Sequence, residues 1–233
     1  MCKLYGVSVG AGEAQLMTLK AVDIIERCGV IAVPRTGGRN TLAFSIAEGV
    51  CNLSAKKVVY IDFPMSRDET VLSDNYARAA ELLCSELESC DVAMISLGDI
   101  SVYSTFSCIA ERVRSRGFDV EICAGVTSFS AAAALLGKPL CLGRQPLHII
   151  PYDCEELEEM LDLKGTKVIM KVGKHSAELV ELLCKKGLAE QTAVAVNCGL
   201  PDEKLYESCA DIKDDIGYFT VFIVKDEERS HEA

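Results

Sequence analysis

The first half of the chain alternates two patterns. Short apolar, β-branched runs stand at Leu4–Val9, Val30–Val33, Val58–Ile61, Val92–Leu97 and Val120–Cys123. Each has the length and composition of a strand buried on both faces. Between them, apolar residues recur three and four apart. In Leu16–Cys28 the residues Leu16, Leu19, Ile24 and Ile25 share one face, and Lys20, Asp23 and Glu26 lie outside it, the spacing of an amphipathic helix. Thr41–Val50, Glu69–Glu88 with Asp68 as its cap, and Val102–Arg116 closed by Gly117 read as further helices. Buried strands separated by helices predict a mostly parallel sheet with helices on both faces.

The pattern changes near Ala124-Gly125. Val126–Leu136 is a helical stretch rich in small residues. Strands are then expected at Leu147–Ile150, Val168–Val172, Ala193–Asn197, Lys204–Cys209 and Phe219–Lys225, with helices at Glu155–Leu163 and Ala177–Lys186. The last strands lack full crossover helices, so this sheet is predicted to be mixed. The expectation is two α/β domains, residues 1–123 and 124–233.

Composition narrows the class. The 233 residues are 49% hydrophobic and 25% charged, the balance of a folded chain rather than a disordered one. Lys and Arg total 24 against 35 Asp and Glu, leaving −11. The basic residues are scattered, so nucleic acid is not an expected partner. The acidic stretches Glu155-Glu156, Glu158-Glu159 and Asp226-Glu227-Glu228 read as solvated surface. No apolar run approaches the ~18 residues of a membrane span. The opening Met1-Cys2-Lys3 enters a strand without a signal-like core, so the expected location is cytoplasmic. Twelve cysteines form no CxxC pair, so no metal site is expected. Cys28, Cys51, Cys84, Cys108, Cys123 and Cys184 fall in apolar segments and are expected to act as small hydrophobic residues.

Three loops offer chemistry. Gly10-Ala11-Gly12 follows a strand and precedes a helix, the place of a dinucleotide-binding turn. The third glycine position holds Gln15, and a tight turn accounts for the same glycines. The loop Leu97–Thr105 leaves the carboxyl end of a strand, where open α/β sheets bind ligands. Gly98 permits close backbone approach. Asp99 offers acceptors to a ribose or an ammonium, and Asp99 or Ser101 would equally cap the next helix. Gly125–Ser130 places Thr127 and Ser128 before an Ala-rich helix, as a cap or as partners of an anion at the helix end. No GxSxG or HExxH occurs, and His148, His175 and His231 have no metal spacing. The missing nucleophile fits a reaction in which the cofactor is already activated.

Together these loops resemble one family. Leu4-Tyr-Gly-Val-Ser-Val-Gly-Ala-Gly-Glu-Ala-Gln-Leu-Met-Thr-Leu-Lys-Ala21 is similar to the opening of the tetrapyrrole methylases. These are two-domain, non-Rossmann methyltransferases that use S-adenosylmethionine. Gly98-Asp99 resembles the family's Gly-Asp-Pro loop, with Ile100 in place of the proline; Ala11 and Ala14 also stand where prolines are usual. Phe63-Pro64-Met65, Ser101–Phe106 and Gly125–Ala133 are similar to the branch that methylates carbon 20 of precorrin-2. Gly143–Leu147 and Met170–Lys174 agree. The resemblance spans nearly the whole chain.

It implies S-adenosylmethionine as cofactor, S-adenosylhomocysteine as product and a cofactor site in the cleft between the domains. Gly98, Asp99 and Val102 would line one side, with Tyr103 and Ser104 close by. Thr127 and Ser128 would reach the methionine carboxylate or amine. Met170, Asn197 and Thr220 would meet the adenine. The substrate is a small-molecule tetrapyrrole rich in carboxylates. Gly10 and Gly12 would border its trough, and Arg35, Arg39, Arg144, Lys171 and Lys174 are candidates to hold its carboxylates against the net negative field. Methyl displacement needs alignment and desolvation more than covalent help; the base that removes the carbon-20 proton is not identified. The thiol-rich composition leans towards a cobalt-loaded substrate of an anaerobic route. A homodimer is expected from the family and from the prevalence of twofold oligomers. The alternatives are another tetrapyrrole carbon methylase, diphthine synthase, a cofactor- or tetrapyrrole-binding protein without turnover, and a nicotinamide-dependent oxidoreductase.

Overall fold

A computed structural model describes residues 2–35, 41–64, 66, 68–213 and 216–226. The chain divides into two compact units, Met1–Thr127 and Ser128–Ala233.

The first unit is a parallel sheet of β1 (Lys3–Ser8), β2 (Val30–Arg35), β3 (Lys57–Asp62), β4 (Val92–Ser96) and β5 (Asp119–Cys123), in the order β3-β2-β4-β1-β5. Every neighbouring pair is parallel, so all five carboxyl ends lie on one edge. Alternation along the strands makes two cores. Val7, Ile31, Val33, Ala93 and Ile95 pack with Ile24, Ile25 and Ile46 from α1 (Leu19–Arg27) and α2 (Leu42–Glu48). Leu4, Val30, Ala32, Val92 and Met94 pack with Leu83, Leu87, Phe106 and Ile109 from α3 (Glu69–Leu87) and α4 (Phe106–Arg114). The predicted cap forms: Asp68 accepts from Thr70 and Val71 N–H groups.

Two helices start three or more residues later than the periodicity predicts. Thr18 caps α1 by accepting from the Ala21 N–H, so Leu16 falls in a separate 3₁₀ turn. Leu19 becomes the first helical residue and is 90% exposed rather than on the apolar face. The segment 102–105 is not helical, because Tyr103 sits at φ +50° and the residues around it are committed to side-chain hydrogen bonds described below.

The second unit is a mixed sheet of β6 (Leu147–Pro151), β7 (Thr166–Met170), β8 (Thr192–Val196), β9 (Lys204–Tyr206) and β10 (Thr220–Val224), in the order β6-β7-β10-β8-β9. β6 and β7 are parallel; β10 is antiparallel to β7 and β8, as is β9 to β8. One face packs Ile150, Ile169, Val194 and Phe222 against Leu157 and Leu161 of α6 (Leu157–Leu161) and Leu179 and Leu183 of α7 (Ser176–Lys185). The small-residue helix α5 (Ser128–Leu135) contacts β8 and β10.

The cysteine expectation holds in part. Cys28, Cys51, Cys84 and Cys123 are buried; Cys108 is only half-buried and Cys184 is exposed, on the outer side of α7. Burial pushes the Cys28 thiol up to about 12 and Cys209 to about 11. Asp226 is not plain solvated surface either. It accepts from the buried Lys167 ammonium at 2.7 Å and from the Gly165 N–H. Burial opposes its ionisation, but these donors hold its carboxyl below the usual range. No helix among the described residues is long and apolar enough to cross a membrane.

Candidate functional site

In the first unit the candidate residues gather at the carboxyl edge of the sheet. The chain leaving β1 and the chain leaving β4 meet in an isolated bridge. Gly10 N–H donates to Gly98 O at 3.2 Å, and Gly98 N–H returns to Gly10 O at 2.7 Å. Gly10 has φ +75° and its missing Cβ would lie 2.8 Å from Leu16 O, so only glycine fits. Beneath the bridge, the fully buried Ser8 hydroxyl donates to Cys123 O at 2.7 Å and accepts from Ile100 N–H at 2.9 Å. This one side chain ties the ends of β1, β4 and β5. Ile100 is 1% exposed and packs into the core with Leu4, Met94 and Phe106.

Asp99 organises the surface of this edge. Its Oδ1 accepts from Ser101 N–H at 2.8 Å and from the Ser101 hydroxyl, and its Oδ2 accepts from Gly125 N–H at 2.7 Å. Burial opposes the charge, but the Gly125 and Ser101 donors outweigh it and hold the carboxyl below the ordinary aspartate value. Asp99 therefore spends three of its roughly four lone-pair sites on the loop itself. The helix that follows is served by another residue: Ser104 Oγ accepts from Phe106 N–H at 3.2 Å. Gly125 is close-packed. A Cβ there would stand 2.4 Å from Ser8 Cβ and 2.9 Å from Gly98 O. Val102 and Thr127 are half-buried beside these residues in sequence, and Tyr103 is 42% exposed.

At the same edge, Arg35 ends β2 opposite Asp62 at the end of β3. The guanidinium donates through Nε to Asp62 Oδ1 at 2.5 Å and through NH2 to Oδ2 at 3.0 Å, and lies over the Tyr60 ring at 4.8 Å. That fork holds the Asp62 carboxyl below its usual range. Arg39 lies outside the described residues.

In the second unit β6, β7 and β8 run in one direction and β10 in the other, so Met170, Asn197 and Thr220 share one edge of the sheet. Lys171 and Lys174 follow Met170 and are exposed. Asn197 N–H donates to Phe219 O at 2.8 Å, and its Nδ2 to Asp202 at 2.7 Å. Thr220 is buried, with its hydroxyl directed to the carbonyls of Ile216 and Gly217. Arg144 precedes the amino end of β6, so the strand length, about 15 Å, separates it from Lys171 and Lys174. Ser128 opens α5.

Among the described residues, the non-glycine positions with φ in the left-handed region are Tyr103 (+50°), Lys171 (+58°) and Asn197 (+51°). That geometry costs an L-residue about 1–2 kcal/mol and clusters at functional sites. All three belong to the residues that the sequence singles out.

Sequence reasoning passed over Ser8, Asp62 and a side-chain network beside Met170. Tyr152 N–H donates to Met170 O at 2.8 Å, its hydroxyl donates to Glu178 at 2.9 Å, and its ring stacks on His175 at 5.2 Å. His175 Nδ1 meets the same Glu178 oxygen at 2.8 Å, and this contact, then Tyr152, holds the Glu178 carboxyl low. A serine inside an otherwise apolar buried strand was a readable signal for Ser8. Nothing in the spacing pairs Arg35 with Asp62.

The family model for tetrapyrrole (corrin/porphyrin) methylases matches residues 3–212. The chain is 32% identical over 229 residues to the cobalt-precorrin-2 C(20)-methyltransferase of Salmonella typhimurium, covering 95% of each chain. It is 36% identical over 170 residues to a probable cobalt-precorrin-2 C(20)-methyltransferase of Methanocaldococcus jannaschii, covering 72% of each. The crystal structure of a cobalt precorrin-4 methyltransferase shares the fold, with a TM-score of 0.74 at 18% identity over 96% of this chain and 94% of that one.

Proposed function

The chain belongs to the tetrapyrrole methylase family, and from that premise we propose that it transfers a methyl group from S-adenosylmethionine to carbon 20 of precorrin-2, in its cobalt-loaded form, during corrin-ring biosynthesis. The observation that carries this reading is the 32% identity, over 95% of both chains, to a protein named for that reaction. The fold and the tied loops of the first unit agree with it.

Bound S-adenosylmethionine supplies an electrophilic methyl on a sulfonium, so the protein needs no nucleophile of its own. The work left to its residues is to bind, orient and exclude water. The donor set suits such a cofactor: one oriented carboxylate and several hydroxyls on the loops. In the first unit we assign Gly98, Asp99, Val102, Tyr103, Ser104 and Thr127 to it. Asp99 acts mainly by holding the loop, with one lone-pair site left for a ribose hydroxyl or the ammonium. In the second unit we assign Ser128, Met170, Asn197 and Thr220. Thr220 commits its hydroxyl internally, so its part falls to the main chain. Gly10 and Gly12 border the tetrapyrrole, and we assign Arg35, Arg144, Lys171 and Lys174 to its carboxylates. We also propose a homodimer acting in the cytoplasm, which sedimentation and fractionation test.

The experiment is anaerobic turnover with S-adenosylmethionine on metal-free and cobalt-loaded precorrin-2 in parallel. Mass spectrometry reads the gain of one CH2 unit and NMR its position. Gain at carbon 20, faster with cobalt, is expected. No gain alongside tight binding of S-adenosylhomocysteine would move the protein to a different methyl acceptor, and absence of both would end the methyltransferase reading.

A further inference from the structure

The carboxyl end of the β2–β3 pair carries an arginine held in one orientation from three sides. Arg35 and Asp62 are register partners, and Phe63 N–H donates to Arg35 O at 2.9 Å. Asn75, on α3, donates its Nδ2 to Asp62 O at 2.8 Å, which fixes the backbone from which the Asp62 carboxylate reaches. That carboxylate takes the Nε–NH2 side of the guanidinium as a two-point fork, and Tyr60 supports its face. Alternation puts Tyr60, Asp62 and Arg35 on the same face of the sheet.

We propose that Arg35, oriented by Asp62 and Tyr60, is a dedicated binding site for one carboxylate of the tetrapyrrole substrate, and that Asp62 is its positioning residue. This rests on the tetrapyrrole reading above. A guanidinium has five N–H donors. Asp62 takes two, and among the described residues the other three meet no acceptor. They belong to a planar group whose unused side can again form a two-point fork with a carboxylate. Holding an arginine in place is costly in side-chain entropy, and here that cost is met before ligand arrives. Stability does not explain the device. Asp62 is 64% exposed and Arg35 29%, and exposed ion pairs of this kind add little to folding. The location is the edge where parallel α/β sheets bind ligands.

The test compares Asp62→Asn, Arg35→Gln, Arg35→Lys and the double variant Asp62→Asn/Arg35→Gln in steady-state kinetics on precorrin-2. Loss of one charge-assisted two-point contact is expected to raise the tetrapyrrole KM about tenfold or more in Arg35→Gln. The KM for S-adenosylmethionine and the Tm should stay near wild type. Asp62→Asn should show a smaller rise of the same kind. Arg35→Lys should not restore the wild-type KM, because an ammonium cannot make the fork. The double variant should be no worse than Arg35→Gln, since Asp62 acts only through Arg35. An unchanged KM in Arg35→Gln, a lower KM in Asp62→Asn, or additive effects in the double variant would each overturn the proposal. If the wild-type protein fails to methylate precorrin-2, the tetrapyrrole reading is at fault. Fluorescence titration with uroporphyrin, a stable polycarboxylate, then decides on its own: weaker binding by Arg35→Gln and Asp62→Asn supports the site, and equal binding removes it.

Discussion

Gly125 N–H donates to Asp99 Oδ2 at 2.7 Å across 26 residues of sequence. Through this bond and the Ser101 donors on Oδ1, one carboxylate joins the chain leaving β4 to the chain leaving β5. The consequence is a pH-dependent loop. The folded Asp99 pKa lies below its unfolded value near 3.9. Its contribution to stability is therefore complete above about pH 5 and is lost as pH falls through the folded pKa. Asp99→Asn replaces an acceptor by an amide that can satisfy fewer of these donors. It is expected to cost about 1–2 kcal/mol near neutrality and to weaken S-adenosylhomocysteine binding. The stability gap to wild type should be constant from pH 7 to about pH 5 and shrink below pH 4. Chemical denaturation across that range and calorimetry check both.

Ser8 is the buried counterpart of Asp99. Ser8→Ala removes an acceptor from Ile100 N–H and a donor from Cys123 O at a place water does not reach. Two main-chain groups lose their partner, so the expected loss is about 1–3 kcal/mol, far more than a surface serine would give. Urea unfolding, with an unchanged m-value, would register it. A loss below about 0.5 kcal/mol would mean that the loop can re-pair its own groups.

Much of this architecture is legible in the sequence, and the exceptions have physical causes. Strand positions in the first unit followed from short continuous apolar runs, because parallel strands buried on both faces leave that signature. Leu19 was misplaced because periodicity does not see that Thr18 caps the helix and puts Leu19 at its exposed first position. The sequence pattern starts α4 too early because the Asp99 and Ser104 side chains take up main-chain N–H groups of Ser101, Gly125 and Phe106, an interaction that competes with helix. Arg35–Asp62 and Lys167–Asp226 are pairings between distant segments. Only sheet register or tertiary closure brings them together, and a one-dimensional pattern carries neither.

Gly125 tests how closely the first unit is packed at that edge. Its missing Cβ would sit 2.4 Å from Ser8 Cβ and 2.9 Å from the main-chain oxygen of Gly98. Neither neighbour is the free end of a flexible side chain, so Gly125→Ala must displace backbone. The expected cost is about 1–3 kcal/mol, with S-adenosylhomocysteine affinity falling because Asp99 loses its hold on residue 125. Gly187→Ala is the contrasting variant. No atom lies within 4 Å of the added Cβ, so it carries only the strain of φ +70°. Melting temperatures of the two, together with calorimetric titration, separate close approach from conformational strain.

Lys171 carries the opposite expectation, a gain in stability with a loss in function. At φ +58° its Cβ is strained by about 1–2 kcal/mol, and the residue is exposed. Lys171→Gly relieves the strain, although glycine's greater freedom in the unfolded chain offsets part of the gain. Counting the backbone alone, the change in stability should lie between zero and about +1 kcal/mol. If the residue is retained for substrate, the same variant should raise the tetrapyrrole KM several-fold through loss of the cation, and Lys171→Asn should do so while keeping a residue that tolerates the left-handed region. A variant that is more stable and equally active would show that Lys171 serves neither the loop nor the substrate. One that is less stable would show that its unfavourable backbone is outweighed by contacts of its side chain. Thermal melts and steady-state kinetics on the same preparations distinguish the three results.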